Sequence, residues 1–263
     1  MAQADAAKSY PKLRVTPEHD GQVLWVALDA PVGNVLDMQM STSLRAVLAS
    51  PAREPQVKAI VFSGTGAHFS YGASIDEHLP GKVEKLLPAF HGIFHDLVDV
   101  ARPTLAVVNG RCLGGGLELA AFCNWVFVSP DAKLGVPEVT LGVFPPLAAV
   151  ILRERVGRAL AEDLCITGRI VDGEEALEIG LADHLSEDPE DAARQWIQRH
   201  LLPRSATALH FTTRAVREPL RARLLADLDK IERMYLDELM QHEDPLEGIK
   251  AFLEKRPPQW KNR

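Results

Sequence analysis

Two glutamates stand where carboxyl groups are costly. Glu118 lies in GRCLGGGLELAAFC, Gly110 to Cys123, one turn into an Ala, Leu and Phe-rich run that reads as a buried helix. Glu138 follows twenty residues later in KLGVPEVTLGVFPP. Burial raises a carboxyl pKa towards neutrality, and two carboxyls facing one small cavity raise one of them further. Such a pair suits general acid–base work on a water or a carbon. Ahead of Glu118, three consecutive glycines let the backbone approach a ligand closely. The first N–H groups of the helix they open point outward with the helix dipole behind them. This is how an oxyanion hole is made. On spacing alone a plainer reading stands level with it, in which Glu118 is salt-bridged to a core arginine and Glu138 merely caps a turn.

Other chemistries find less support. SGTGAHFSYGAS follows a strand-like run and offers Gly64 and Gly66, but the third position of a dinucleotide-binding loop is Phe69, and no helix opens there. GxxxxGK[ST] and GxSxG are both absent, which removes the common cues for phosphate binding and for an α/β-hydrolase serine. His91 and His95 lie i,i+4 in HGIFH, a spacing two metal ligands can use, with no third ligand nearby in sequence. They read as a helix-surface or core pair, and no metal site is expected. Cys112, Cys123 and Cys165 sit in apolar surroundings with neither CxxC nor Cys/His metal spacing. Reduced core thiols follow, and with them a cytoplasmic-type compartment.

The elements that must hold the glutamates alternate in type. Val23 to Leu28 (VLWVAL) is a strand candidate, followed by a turn, APVGN, and a helix-like segment from Asp37 to Ser50. Lys58 to Gly64 and Thr104 to Gly110 are β-branched apolar runs ending in Gly, the form of buried strands. After the glycines LELAAFC is helical, WVFVS is a strand, and Ala148 to Val156 resumes helix. Strands alternating with helices mean an α/β core. From about Leu201 the pattern becomes helical, with Leu220, Leu224, Leu228, Ile231, Tyr235 and Leu239 at three- and four-residue steps. That stripe packs either on its own domain or on another subunit.

Composition bounds the partners. The chain has 263 residues, 46 % hydrophobic and 25 % charged, enough for a large core in one or two domains. A net charge of -7 argues against a nucleic-acid surface. The first residues lack an apolar h-region, and nowhere do 18 uncharged apolar residues run together, so neither a secretory signal nor a membrane span is expected. The basic C-terminal run KAFLEKRPPQWKNR reads on charge alone as a solvated tail.

VNGRCLGGGLELAAFCNWVFVSPDAKLGVPEVTLGV resembles the core signature of the enoyl-CoA hydratase/isomerase (crotonase) superfamily, as do VFSGTG with HFSYGASID and the tail EGIKAFLEKR. These motifs agree in order and spacing from about Val23 to the end. The resemblance implies a spiral of β-β-α units over residues 1–200 and a helical region over 201–263 for oligomerisation and coenzyme A (CoA) contact. It implies trimers, commonly paired into hexamers. The substrate is an acyl-CoA thioester that brings its own CoA, with no metal or redox cofactor. Matched residue by residue, the thioester carbonyl would lie between the backbone N–H groups of Ala73 and Gly115. Glu118 would help activate a water and Glu138 would deliver a proton to carbon. Tyr71 alters the pocket near the thioester and adenine, and Phe252 and Lys255 match the positions that reach the adenosine and phosphate part of CoA.

The sequence departs from ordinary short-chain hydratases at Tyr71-Gly72-Ala73-Ser74 and at Val143-Phe144-Pro145-Pro146-Leu147-Ala148. There proline fixes the turn and Phe144 fills space. FSYGASIDEHLP together with GVFPPLAAVIL resembles one branch, the cyclohexa-1,5-diene-1-carbonyl-CoA hydratases of anaerobic aromatic degradation. That branch implies a flat ring in a pocket walled by Phe144, Pro145 and Leu147. Straight-chain or branched enoyl-CoA hydration, isomerisation and thioester hydrolysis are the alternatives within the superfamily. A non-catalytic CoA-ester or RNA binder is the alternative outside it, opposed by the two glutamates and the acidic balance.

Overall fold

The computed structural model describes residues 10–30 and 32–263. In chain order, β1 (Leu13–Glu18), β2 (Val23–Leu28), α1 (Met38–Ala49), β3 (Ala59–Gly64) and α2 (Val83–Val100) lead to β4 (Thr104–Val108) and β5 (Arg111–Leu113). Next come α3 (Gly115–Phe122), β6 (Trp125–Val128), β7 (Lys133–Gly135), α4 (Pro146–Arg155) and α5 (Arg158–Thr167). Then follow β8 (Ile170–Asp172), α6 (Gly173–Glu178), β9 (His184–Leu185), α7 (Pro189–His200), α8 (Ala206–Arg233) and α9 (Glu243–Leu253).

The β-branched runs pair because both their faces are covered. A six-stranded sheet has the order β1-β2-β3-β4-β6-β9, antiparallel only between β1 and β2. Residues of β3 and β4 are buried almost throughout, as continuous apolar strands of a parallel sheet must be. One face meets α1, α2 and α3 through Phe62, Phe94 and Phe122; the other meets α7 through Trp25, Phe127 and Ile197.

A second, smaller sheet, β5-β7-β8, explains the spiral. After β3 the chain makes single bridges from Ser70 to Cys112 and from Ala73 to Leu36, so each turn adds one strand to the large sheet and one short segment to the small one. The expected β-β-α spiral is the fold observed. β1 was not read from the sequence, because LRVTPE alternates weakly and carries a proline.

From Ala206 to Leu253 the described chain is mostly helical, and the stripe that begins on α8 turns inward. Leu224, Leu228 and Tyr235 are buried, with Leu220 and Ile231 packed against the same core, chiefly over α4 and α2. Of the two readings open to that stripe, packing on its own chain is the one observed for these residues. Apolar residues that stay exposed lie elsewhere on the helix, at Phe211 and Val216. The basic tail is also not a free solvated run. Arg256 holds Glu247 through two bonds of 2.6 and 2.9 Å, and Asp244 accepts from the backbone N–H groups of Lys261 and Asn262. No helix among the described residues is long and apolar enough to cross a membrane.

Candidate active site

The arm that carries Ala73 is nailed down by Asn34, from the turn APVGN. Its buried side chain donates to the carbonyls of Thr65, His68 and Phe69 at 2.9–3.2 Å and accepts from the N–H of Ala30. Ser70 Oγ donates to the Asn34 carbonyl and accepts from the N–H of Gly72. Gly72 has φ +96°, and a Cβ there would lie 2.7 Å from the Leu113 carbonyl, so only glycine brings the two arms together. The Ala73 N–H is left out of the backbone bonding of the described residues.

The second arm is the start of α3. Gly114 turns the chain at φ +51°, and Gly115 is the first helical residue, its N–H pointing out of the helix end and likewise unused. A Cβ on Gly115 would sit 3.3 Å from the Ala73 nitrogen. Two unused backbone donors thus lie on closely approaching arms, the kind of pair that an oxyanion requires.

Glu118, one turn further into α3, is 3 % exposed. It forms no salt bridge to a core arginine. Its Oε1 accepts from the N–H of Ala148 at 2.7 Å, in the first turn of α4, where amides have no helical partner. Burial raises its pKa; the Ala148 amide, the His91 charge and the Leu147 amide oppose this in that order. His91 comes from α2, with Nδ1 2.5 Å from Glu232 Oε2 on α8. His91 therefore serves the α2–α8 interface, and no group of three metal-ligating residues exists among the described residues.

Glu138 sits on a single 3-10 turn, Pro137–Leu141, directly against the glycine loop: a Cβ on Gly114 would be 2.6 Å from its Oε1. Its Oε2 is buried with no partner. Burial first, and the charge of Glu118 second, push its pKa up to about 8, against a smaller opposing bond from its own backbone. The pair thus divides. Glu118, with two amides of α4 opposing its burial, is the more easily charged of the two; Glu138, with only its own backbone bond and the charge of Glu118 against it, keeps its proton near neutrality. The Cys165 thiol, raised to about 12 by burial and by both glutamates, stays protonated.

A narrow cavity of about 60 Å³, room for a few waters, opens at Ala73, Gly114 and Glu138; Glu118 and Gly115 lie behind its lining. Tyr71, Gly72, Ala73, Gly114 and Glu138 line it with His78, and Ile75, Leu141, Val143 and Ile249 make its apolar wall. Two larger open grooves, about 730 and 750 Å³, contain neither glutamate. Tyr71 is at the mouth, half exposed, its ring lying on Gly33 and under the guanidinium of Arg111.

Three residues expected as pocket wall stand back from this cavity. Leu147 is fully buried in the main core, Pro145 is buried ahead of α4, and Phe144 packs edge-on against Tyr235 with centroids 5.3 Å apart. The Pro-Pro turn instead presents the start of α4 to Glu118. Phe252 and Lys255 lie exposed at the end of α9, while Ile249 of the same helix reaches the cavity. Asn34, His78 and the amides of Leu147 and Ala148 were not read from the sequence, and His91 was read only as a helix-surface or core residue. Only Asn34, beside a glycine in a turn, carried a local signal.

Comparison with known proteins places the chain in a family. The family model described as enoyl-CoA hydratase/isomerase matches residues 18–263. The cyclohexa-1,5-dienecarbonyl-CoA hydratase of Thauera aromatica is 45 % identical over 95 % of this chain and 97 % of its own. A probable enoyl-CoA hydratase of Rhizobium meliloti (strain 1021) is 35 % identical over 97 % of this chain and 100 % of its own. The crystal structure of an enoyl-CoA hydratase from Mycobacterium avium subsp. paratuberculosis superposes with a TM-score of 0.84 at 25 % identity, covering 96 % of this chain and 100 % of that one. Paired backbone donors, a buried Glu118 beside a half-buried Glu138, and the two-sheet spiral are thus found in a chain that belongs to the enoyl-CoA hydratase/isomerase family.

Proposed function

We propose that this enzyme is a hydro-lyase that adds water to cyclohexa-1,5-diene-1-carbonyl-CoA, giving 6-hydroxycyclohex-1-ene-1-carbonyl-CoA. The observation that carries the reading is the unequal glutamate pair beside two unused backbone donors; the 45 % identity to the Thauera aromatica hydratase supports the choice of ring. The N–H groups of Ala73 and Gly115 receive the thioester oxygen. The Glu118 carboxylate takes a proton from water as the water oxygen bonds to the β carbon. Electrons move through the diene to the thioester oxygen, where each donor is worth about 3 kcal/mol in the transition state. Glu138 then gives its proton to the far end of the diene, leaving one ring double bond conjugated to the carbonyl. Atoms and charge balance: the proton Glu118 gains equals the one Glu138 loses, and exchange with solvent restores both.

Coenzyme A enters as part of the substrate, with Tyr71 at the cavity mouth and Phe252 and Lys255 for its adenosine and phosphates. The exposed Phe252 and Lys255 suit contact with a neighbouring subunit's ligand, and the exposed apolar Phe211 and Val216 suit assembly into trimers or dimers of trimers. The test is hydration of the cyclic dienoyl-CoA beside crotonyl-CoA, followed by chromatography and mass. The cyclic diene should gain water much faster. Faster reaction of crotonyl-CoA would leave the chemistry and overturn the ring.

A further inference from the structure

We propose that Tyr235 is a third catalytic group of this chamber, its hydroxyl donating a hydrogen bond to the oxygen that water brings to the substrate. The inference rests on the hydratase reading and deepens it. Tyr235 is 1 % exposed, yet its hydroxyl is buried with no hydrogen-bond partner. A buried tyrosine normally satisfies that group. Here the ring packs in a cluster with Val143 and Ile249, two residues that also wall the cavity holding Glu138. His78, another lining residue, has its ring 6.4 Å away, and Phe144 closes the other side. Two buried oxygens thus stand unpartnered, Glu138 Oε2 in the lining of the chamber and Tyr235 Oη on a ring packed against two of its wall residues.

The backbone under Tyr235 is also unusual. Over Met234–Glu238 the long helix widens to a π turn, in which the N–H of Leu239 donates to the carbonyl of Met234, five residues back. Such turns are rare and frequent at functional sites, because they re-aim a side chain at the expense of regular hydrogen bonding. Burial, then the charges of Glu138 and Glu118, raise the phenol pKa, so the hydroxyl keeps its proton and acts as a donor. The chemistry has a place for one. In addition across a conjugated ring, the carbon that takes the proton lies opposite the carbon that takes the hydroxyl. Glu138 facing the first leaves the nascent hydroxyl oxygen in need of another donor.

Tyr235→Phe tests this, since it removes one oxygen and keeps the packing. The expected result is a kcat for the cyclic dienoyl-CoA lowered about tenfold or more, KM within about threefold, and a melting temperature that does not fall, because the lost hydroxyl had no partner. A kcat within twofold of wild type overturns the inference. Calorimetry provides a second arm that needs no turnover. Wild type should bind the 6-hydroxycyclohexene thioester more tightly than its deoxy analogue, and Tyr235→Phe should lose that preference. A preference absent in wild type, or kept in the variant, overturns the proposal. If wild type hydrates neither thioester, the hydratase reading fails and the calorimetric arm alone decides the role of Tyr235.

Discussion

Glu118 and Glu138 carry the same carboxyl group and differ in what surrounds it. Amide donors at the start of α4 meet Glu118, whereas Glu138 has an oxygen with no partner and a neighbour's charge against it. Because Glu138 must hold a proton to deliver one, kcat should decline as pH rises through about 8. Stability follows the same proton. The folded pKa lies above the unfolded carboxylate value of about 4.3, so the folded state binds a proton that the unfolded chain has released. That contribution is whole below the unfolded pKa and is lost as pH climbs to about 8. Glu138→Gln, which cannot ionise, should therefore exceed wild type in melting temperature by more at pH 9 than at pH 5, while losing activity by about 10²-fold or more. An equal offset at both pH values would show that Glu138 is not the group with the raised pKa. Both glutamates could be found in the sequence as carboxyls in apolar runs; their unequal roles were implied by the family resemblance alone, because the amides that separate them physically come from thirty residues away.

At the scale of elements, the loop that opens α3 has to serve two neighbours in one short turn. Gly114 adopts φ +51° and leaves no room between its Cα and the Glu138 carboxyl. Gly114→Ala should displace Glu138 and tilt the Gly115 donor together. We expect a drop in kcat of about 10²-fold, with a destabilisation of about 1–3 kcal/mol from the left-handed backbone. Denaturant melts and initial rates check both parts; a stable variant that is fully active would mean the loop tolerates a side chain. The triple glycine was legible because glycine before an apolar helix has a local physical meaning. The Pro-Pro turn was legible only as a turn. Its side chains were expected to wall a pocket, but the turn's contribution is backbone: it starts α4 where Glu118 can use the free amides.

Across the whole molecule, α8 separates two kinds of apolar residue that share one helix. Leu224 is fully buried over the core and Val216 is 74 % exposed. Leu224→Ala should cost about 2–5 kcal/mol in any assembly state. Val216→Glu should leave the folded chain intact and shift sedimentation towards smaller species. Unchanged sedimentation would remove Val216 from the interface. Periodicity reads a stripe but not what covers it, so the choice between core and partner had to wait for the positions of α2 and α4. What the sequence determined by itself was local: apolar runs that must be strands, glycines that permit close approach, carboxyls too costly to bury without use. What the tertiary structure decided was convergence. Asn34 fixing the Ala73 arm, α4 supplying amides to Glu118, and Tyr235 arriving from a distant π turn against Val143 and Ile249 are contacts across long stretches of chain. No residue's own type or neighbours encode them, because they arise only when separate elements are packed against one core.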